Sequence, residues 1–170
     1  TQTYTDAVTL GVDTTLTGST VTFTNTVGNT SSRTLAITGN AVFGNTVGAG
    51  TALTSLSVSG TSAMNGGSVN TSSTQTYTDA VTLGVDTTLT GSTVTFTNTV
   101  GNTSSRTLAI TGNAVFGNTV GAGTALTSLS VSGTSAMNGS TVNTSGTQTY
   151  TDAVTLGVDT TLTGSTVTFT

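Results

Sequence analysis

An all-β, right-handed parallel β-solenoid is the fold this sequence predicts, and three observations predict it. The chain has a 73-residue period and repeats itself almost letter for letter. Its composition favours extended backbone, and its apolar residues alternate. Within each repeat a shorter period of apolar positions recurs, as stacked coils require.

Residues 1–65 return unchanged as 74–138. In the next eight positions only Gly67/Ser140, Ser68/Thr141 and Ser73/Gly146 differ, and 147–170 copies 1–24. The organisation read from this is 1–73 as one solenoid repeat, 74–146 as the second and 147–170 as a partial third, all one continuous solenoid. The missing initiator Met and the final run TGSTVTFT read as a window on a longer polypeptide.

Thr supplies 49 of the 170 residues, and Pro, Cys, His, Lys, Glu and Trp are absent. Thr and Val are stiff at χ1 and sit well in pleated strands. In Val8-Thr9-Leu10, Val21-Thr22-Phe23 and Leu35-Ala36-Ile37 the apolar residues fall at every second position, which puts them on one side of a strand. Gly11, Gly18, Gly39, Gly44, Gly60 and Gly66 separate the runs, where a chain must bend.

About three coils per repeat follow from aligning 7–33, 34–54 and 55–79. Five apolar columns then line up: Val8/Leu35/Leu56, Leu10/Ile37/Val58, Leu16/Phe43/Met64, Val21/Val47/Val69 and Val27/Leu53/Tyr77, with Tyr4 and Tyr150 in the last. In this alignment Phe23 lies against Ala49 and Thr71, so bulk is traded between layers as close packing demands. Seven coils at the ordinary strand spacing make a rod of ~34 Å. A string of separate β-sandwiches is the rival, but it has no reason to show a three-fold sub-period or linkerless junctions.

Function classes fall away on charge and length. The formal net charge is −4, with two arginines as the only cations, too few to neutralise a line of phosphates, so no nucleic-acid partner is expected. No apolar run reaches the ~18 residues of a membrane helix, so no membrane insertion is expected. No cofactor or metal is expected: a calcium loop needs six to eight oxygens, and the Gly-Gly-x-Gly-x-Asp pattern is missing. Asp13 and its copy Asp86 lie three coils apart in this alignment, too far for a general acid–base pair, and the chain reads as no enzyme.

The eight charges are the candidate special residues. Asp6 stands two residues before Val8 and Arg33 two before Leu35, so the alignment sets them in one column, and likewise Asp79 and Arg106. Asp6–Arg33 and Asp79–Arg106 are therefore expected as structural salt bridges pinning coil register, contributing ~0–1 kcal/mol if exposed. Asp13, aligned with Asn40 and Thr61, reads as turn chemistry. Thr20, Thr22, Thr24 and Thr26 project outward like an ice-binding array, but the aligned positions Gly48, Gly50, Asn70 and Ser72 break it. Five Asn-x-Ser/Thr triplets, at Asn29, Asn70, Asn102, Asn138 and Asn143, arise from composition alone and are assigned no site.

The runs TLTGSTVTF and LAITGNAVFG resemble the repeats of giant bacterial surface proteins, the filamentous-haemagglutinin-like and autotransporter-type β-helical adhesins. The resemblance is one of style along the whole chain. It implies a long β-helix on the cell exterior acting in adhesion or cell–cell attachment, and carries over no site residue. The expected role is a structural segment of an extracellular fibre or adhesin stalk, with self as partner through filament continuation or end-to-end stacking, and surface glycan or a neighbouring cell beyond that. A binding module using Thr/Ser/Asn faces for glycan or ice is the alternative.

Overall fold

The computed structural model describes residues 1–170, and every regular element in it is a strand. The first repeat contains β1 (Gln2–Tyr4), β2 (Val8–Leu10), β3 (Thr14–Phe23), β4 (Val27–Asn29), β5 (Thr34–Phe43), β6 (Val47–Ala49), β7 (Ser55–Val58), β8 (Ser62–Met64) and β9 (Ser68–Asn70). The second repeats them as β10 (Thr74–Tyr77) through β18 (Thr141–Asn143), and β19 (Thr147–Tyr150) to β22 (Thr166–Phe169) complete the chain. All pairings are parallel, and they join strands a coil apart in sequence, so the protein is a parallel β-solenoid of about eight turns.

Three flat faces enclose one core. Along the first face the inward positions run Gln2, Val21, Ala41, Ser62, Val81, Val100, Val120, Val142 and Leu162. The second begins Val8, Val27, Val47, Val69, Leu89, and the third Thr14, Leu35, Leu56, Gln75, Val94. One cluster of 32 buried apolar residues fills the triangle from Leu10 to Tyr150. Alternation drives this: in β7 the pattern Ser-Leu-Ser-Val buries Leu56 and Val58 and leaves Ser57 outside.

The ladder corrects the alignment drawn from sequence. Val8 lies beside Val27 rather than beside Leu35, and Leu35 lies beside Thr14. One coil therefore runs from Val8 to Val27, the next from Val27 to Val47 and the next from Val47 to Val69. The expected coils 7–33 and 55–79 each contained one face too many. The expected pairs Leu35–Leu56, Ile37–Val58, Phe43–Met64 and Val47–Val69 do form. In 7–33 the slip arose because β3 runs through a corner without a loop, as β5 also does. β3 bulges between Thr17 and Thr20, and β5 turns at Gly39, whose φ of 125° leaves any other residue strained. Added side-chain atoms at Gly39 would also strike the Gly18 carbonyl.

Repeat and coil do not share a period. The 73-residue repeat holds nine strands, two of which serve two faces each, making eleven segments for three faces. A repeat is therefore three and two-thirds coils, and each copy of a residue sits on a different face from the last. Val21 is on the first face and its copy Val94 on the third.

Bulk is not traded between layers where it was expected. Phe23 stacks on Tyr4 at 5.2 Å and on Phe43 at 6.0 Å between ring centroids, large on large, with the rings within 14° of parallel. Tyr77, Phe96 and Phe116 repeat the stack at 5.5 and 5.8 Å. Parallel strands in register set like side chains one strand spacing apart, and offset rings fill that spacing well.

Candidate functional site

The polar chemistry of this molecule is at its corners. Asp6 sits in the bend between β1 and β2, and the ladder places Asn25 beside it one coil on. In the interior copy, Asn98 Nδ2 donates to Asp79 Oδ1 at 3.1 Å, and the Ala80 amide donates to the same oxygen at 2.7 Å. Asn45 continues the column above Asn25, and each asparagine Oδ1 accepts from the next residue's amide at 2.8 Å. Gly66 follows, where Asn45 backbone atoms occupy the space a side chain would need. This is an Asx ladder, holding a sharp bend through side-chain-to-backbone bonds.

Arg33 stands at the following corner, between β4 and β5. Its amide donates to Asn29 Oδ1 at 3.1 Å, its carbonyl accepts from Thr54 at 2.8 Å, and its Nε is buried without a partner. Arg106 repeats the arrangement, its carbonyl accepting from the Thr127 amide at 2.8 Å. The structure therefore does not bring Asp6 to Arg33 or Asp79 to Arg106. A three-face coil sets Asn25 over Asp6, whereas the salt bridge needed the longer coil. Asp13 bonds across coils rather than within its own turn: its Oδ1 accepts from the Thr34 amide at 2.9 Å, and Asp86 does the same for Thr107 at 3.0 Å. Asn40 matches it, accepting from Thr61 at 3.0 Å.

The outward threonines form short runs. Thr3 and Thr22 lie side by side, then Val42 and Ala63 interrupt before Thr82 and Gly101. The interruption expected at Gly48 and Asn70 is replaced by this one. Of the glycan-type triplets, Asn29 and Asn102 have their amide nitrogens engaged by the Thr51 and Thr124 carbonyls at 2.6 and 2.7 Å.

Sequence reasoning missed one site altogether. Gln75 and Gln148 are fully buried, each between a leucine and a valine of its column. Gln75 Nε2 donates to the Val69 carbonyl at 3.1 Å, to the Thr90 carbonyl at 2.8 Å and to Thr71 Oγ1 at 3.4 Å. Its Oε1 accepts from the Tyr77 hydroxyl at 2.8 Å. Gln148 repeats the set, donating to the Val142 carbonyl at 3.2 Å, the Thr163 carbonyl at 2.8 Å and Thr144 Oγ1 at 3.4 Å. The Tyr150 hydroxyl donates to its Oε1 at 2.9 Å. Burial pushes the hydroxyls of Tyr77 and Tyr150 well above the usual tyrosine range. The signal was the alternation Gln-Thr-Tyr, which points a glutamine the same way as a core tyrosine.

No protein family, curated protein or solved structure matches the chain.

Proposed function

We propose that this chain is a non-enzymatic structural segment of an extracellular fibre or adhesin stalk. The observation that carries the reading is the mismatch between the 73-residue repeat and the three-faced coil. Each repeat hands its surface to the next face, so one face sees the same group again only after three repeats, eleven coils or ~53 Å. A receptor surface built from repetition would keep its groups in line along one side. A shaft has no such need, and gains length without a new fold, because each coil is stabilised by its neighbours. Its mechanism is mechanical, with parallel ladders zipped along one axis around buried aliphatic and aromatic columns. The partner is self: further coils, in the same chain or a second copy, stacked on the terminal ones.

Electron microscopy of the purified chain, joined to a glycan array, tests this. A thin unbranched rod without glycan hits is expected. A beaded string, or specific glycan binding, overturns the stalk reading, and thermal hysteresis would move it to ice.

A further inference from the structure

A chain made of near-identical repeats has to choose how many faces make a coil, and its apolar columns do not choose for it. Val8 can be set beside Val27 or beside Leu35, and in both arrangements aliphatic side chains meet aliphatic side chains. Since the pleat has period two, a slip by an even number of positions, as from Val27 to Leu35, keeps the inward set inward. We infer that the buried Gln75–Tyr77 and Gln148–Tyr150 clusters are register locks that admit only the three-faced coil.

The geometry behind this is a single amide bridging two coils. Gln75 Nε2 reaches back to the Val69 carbonyl and forward to the Thr90 carbonyl of the next coil. Thr71 Oγ1 contacts the same Thr90 carbonyl at 3.3 Å, so both side chains measure the same step from Thr71 to Thr90. In a four-faced coil Thr90 moves one face away. Gln75 Nε2 and Thr71 Oγ1 would then lose the Thr90 carbonyl, while the Tyr77 hydroxyl, bonded to Gln75 Oε1 on the same strand, keeps the amide from turning to another partner, and an unmade buried hydrogen bond is costly. Gln75 lies between Leu56 and Val94, where leucine would fill the space without any such requirement. A buried polar group that fixes register at the expense of apolar contact is an established device in coiled coils. One lock per repeat suits the molecule, because a slip anywhere is inherited by all later coils.

The test uses Thr76→Cys and Thr95→Cys, outward neighbours in adjacent coils of a chain without native cysteine. Facing positions on adjacent strands lie within disulfide reach. In the parent background oxidation should close this bridge nearly completely. In the quadruple variant Gln75→Leu, Tyr77→Phe, Gln148→Leu, Tyr150→Phe the yield should fall at least two-fold, while the thermal midpoint stays the same or rises. An undiminished yield overturns the proposal, whether or not the midpoint changes. If the quadruple variant does not fold, Gln148→Leu with Tyr150→Phe is read by Thr149→Cys and Thr168→Cys, with the Gln75 lock intact. The same loss supports the lock, and an unchanged yield refutes it.

Discussion

Residues 1–23, 74–96 and 147–169 are one sequence written three times, and they have three different fates. Leu83 and Phe96 in the middle copy are 0% and 1% exposed, whereas their counterparts Leu156 and Phe169 are 59% and 58% exposed. In the first copy Phe23 is covered by Tyr4 and Phe43, but Tyr4 and Leu16 are only half-buried. Strands nonetheless fall at the same positions: all three copies begin with a TQTY-type strand followed by VTL, though the long strand after it is split in two in the last copy. Local sequence thus decides that a segment is a strand and which way its side chains point. Burial comes from the coils above and below, so stability is a property of stacking.

Truncation should break the symmetry of the three copies most sharply. Phe96→Ala removes a ring packed between Tyr77 and Phe116 and should cost ~3–5 kcal/mol. Phe169→Ala touches a ring stacked on Tyr150 alone and should cost less than ~1.5 kcal/mol. Urea melts of the two variants measure both, and equal losses would mean that the copies are equivalent. The comparison can also be sharpened by addition. Extending the chain with the sequence that follows residue 24 would lay a new coil over Leu156 and Phe169. With a little over half of each side chain still to cover, each should gain ~1–2 kcal/mol of burial, and amide exchange in 147–169 should slow toward that of 74–96.

How much of this was legible from the sequence alone depended on what each signal encodes. Alternation in Leu35-Ala36-Ile37 and Ser55-Leu56-Ser57-Val58 marked strands and inward faces, and the alignment of Leu35 with Leu56 was right because the stretch between them, 34–54, holds three faces. The first coil failed at Gly18, where the chain turns a corner inside a continuous strand and leaves no turn motif to count. That single miscount moved Arg33 over Asp6. It also hid the spacing of Tyr4, Phe23 and Phe43, which is the period of the aromatic stack. Gln75 was missed for another reason: the Gln-Thr-Tyr alternation points it inward, but a glutamine reads as a surface residue until its carbonyl partners, on Val69 and Thr90, are placed around it.

Alkali should distinguish the buried tyrosines from the rest of the molecule. Burial raises the ionisation of Tyr77 and Tyr150 above the value near 10 of an unfolded tyrosine. The stability this confers is complete below about pH 10 and is lost as pH climbs from there toward the folded values, because only the unfolded chain then releases the proton. Each tyrosine should steepen the fall by ~1.4 kcal/mol per pH unit. Tyr77→Phe should remove one such contribution from melts recorded between pH 9 and 12. A slope that Tyr77→Phe leaves unchanged would show that its hydroxyl ionises in place.

The smallest effect probes the same contrast from below. Ser62 and Ser135 are inward, 1% exposed, and their hydroxyls have no hydrogen-bond partner. Each sits in an Ala–Ser–Val column, Ala41 and Val81 around Ser62, Ala114 and Val154 around Ser135. Replacing a desolvated, unbonded hydroxyl by a hydrogen atom removes its penalty, so Ser62→Ala should stabilise by ~1 kcal/mol. Val81 belongs to the buried middle copy, whereas Val154 belongs to the half-covered last one. Water therefore reaches Ser135 whenever the last coil opens, and Ser135→Ala should gain less than Ser62→Ala. Paired thermal melts decide it: a loss at Ser62 would mean that its hydroxyl is bonded after all, and a larger gain at Ser135 would mean that the last coil is as closed as the middle one.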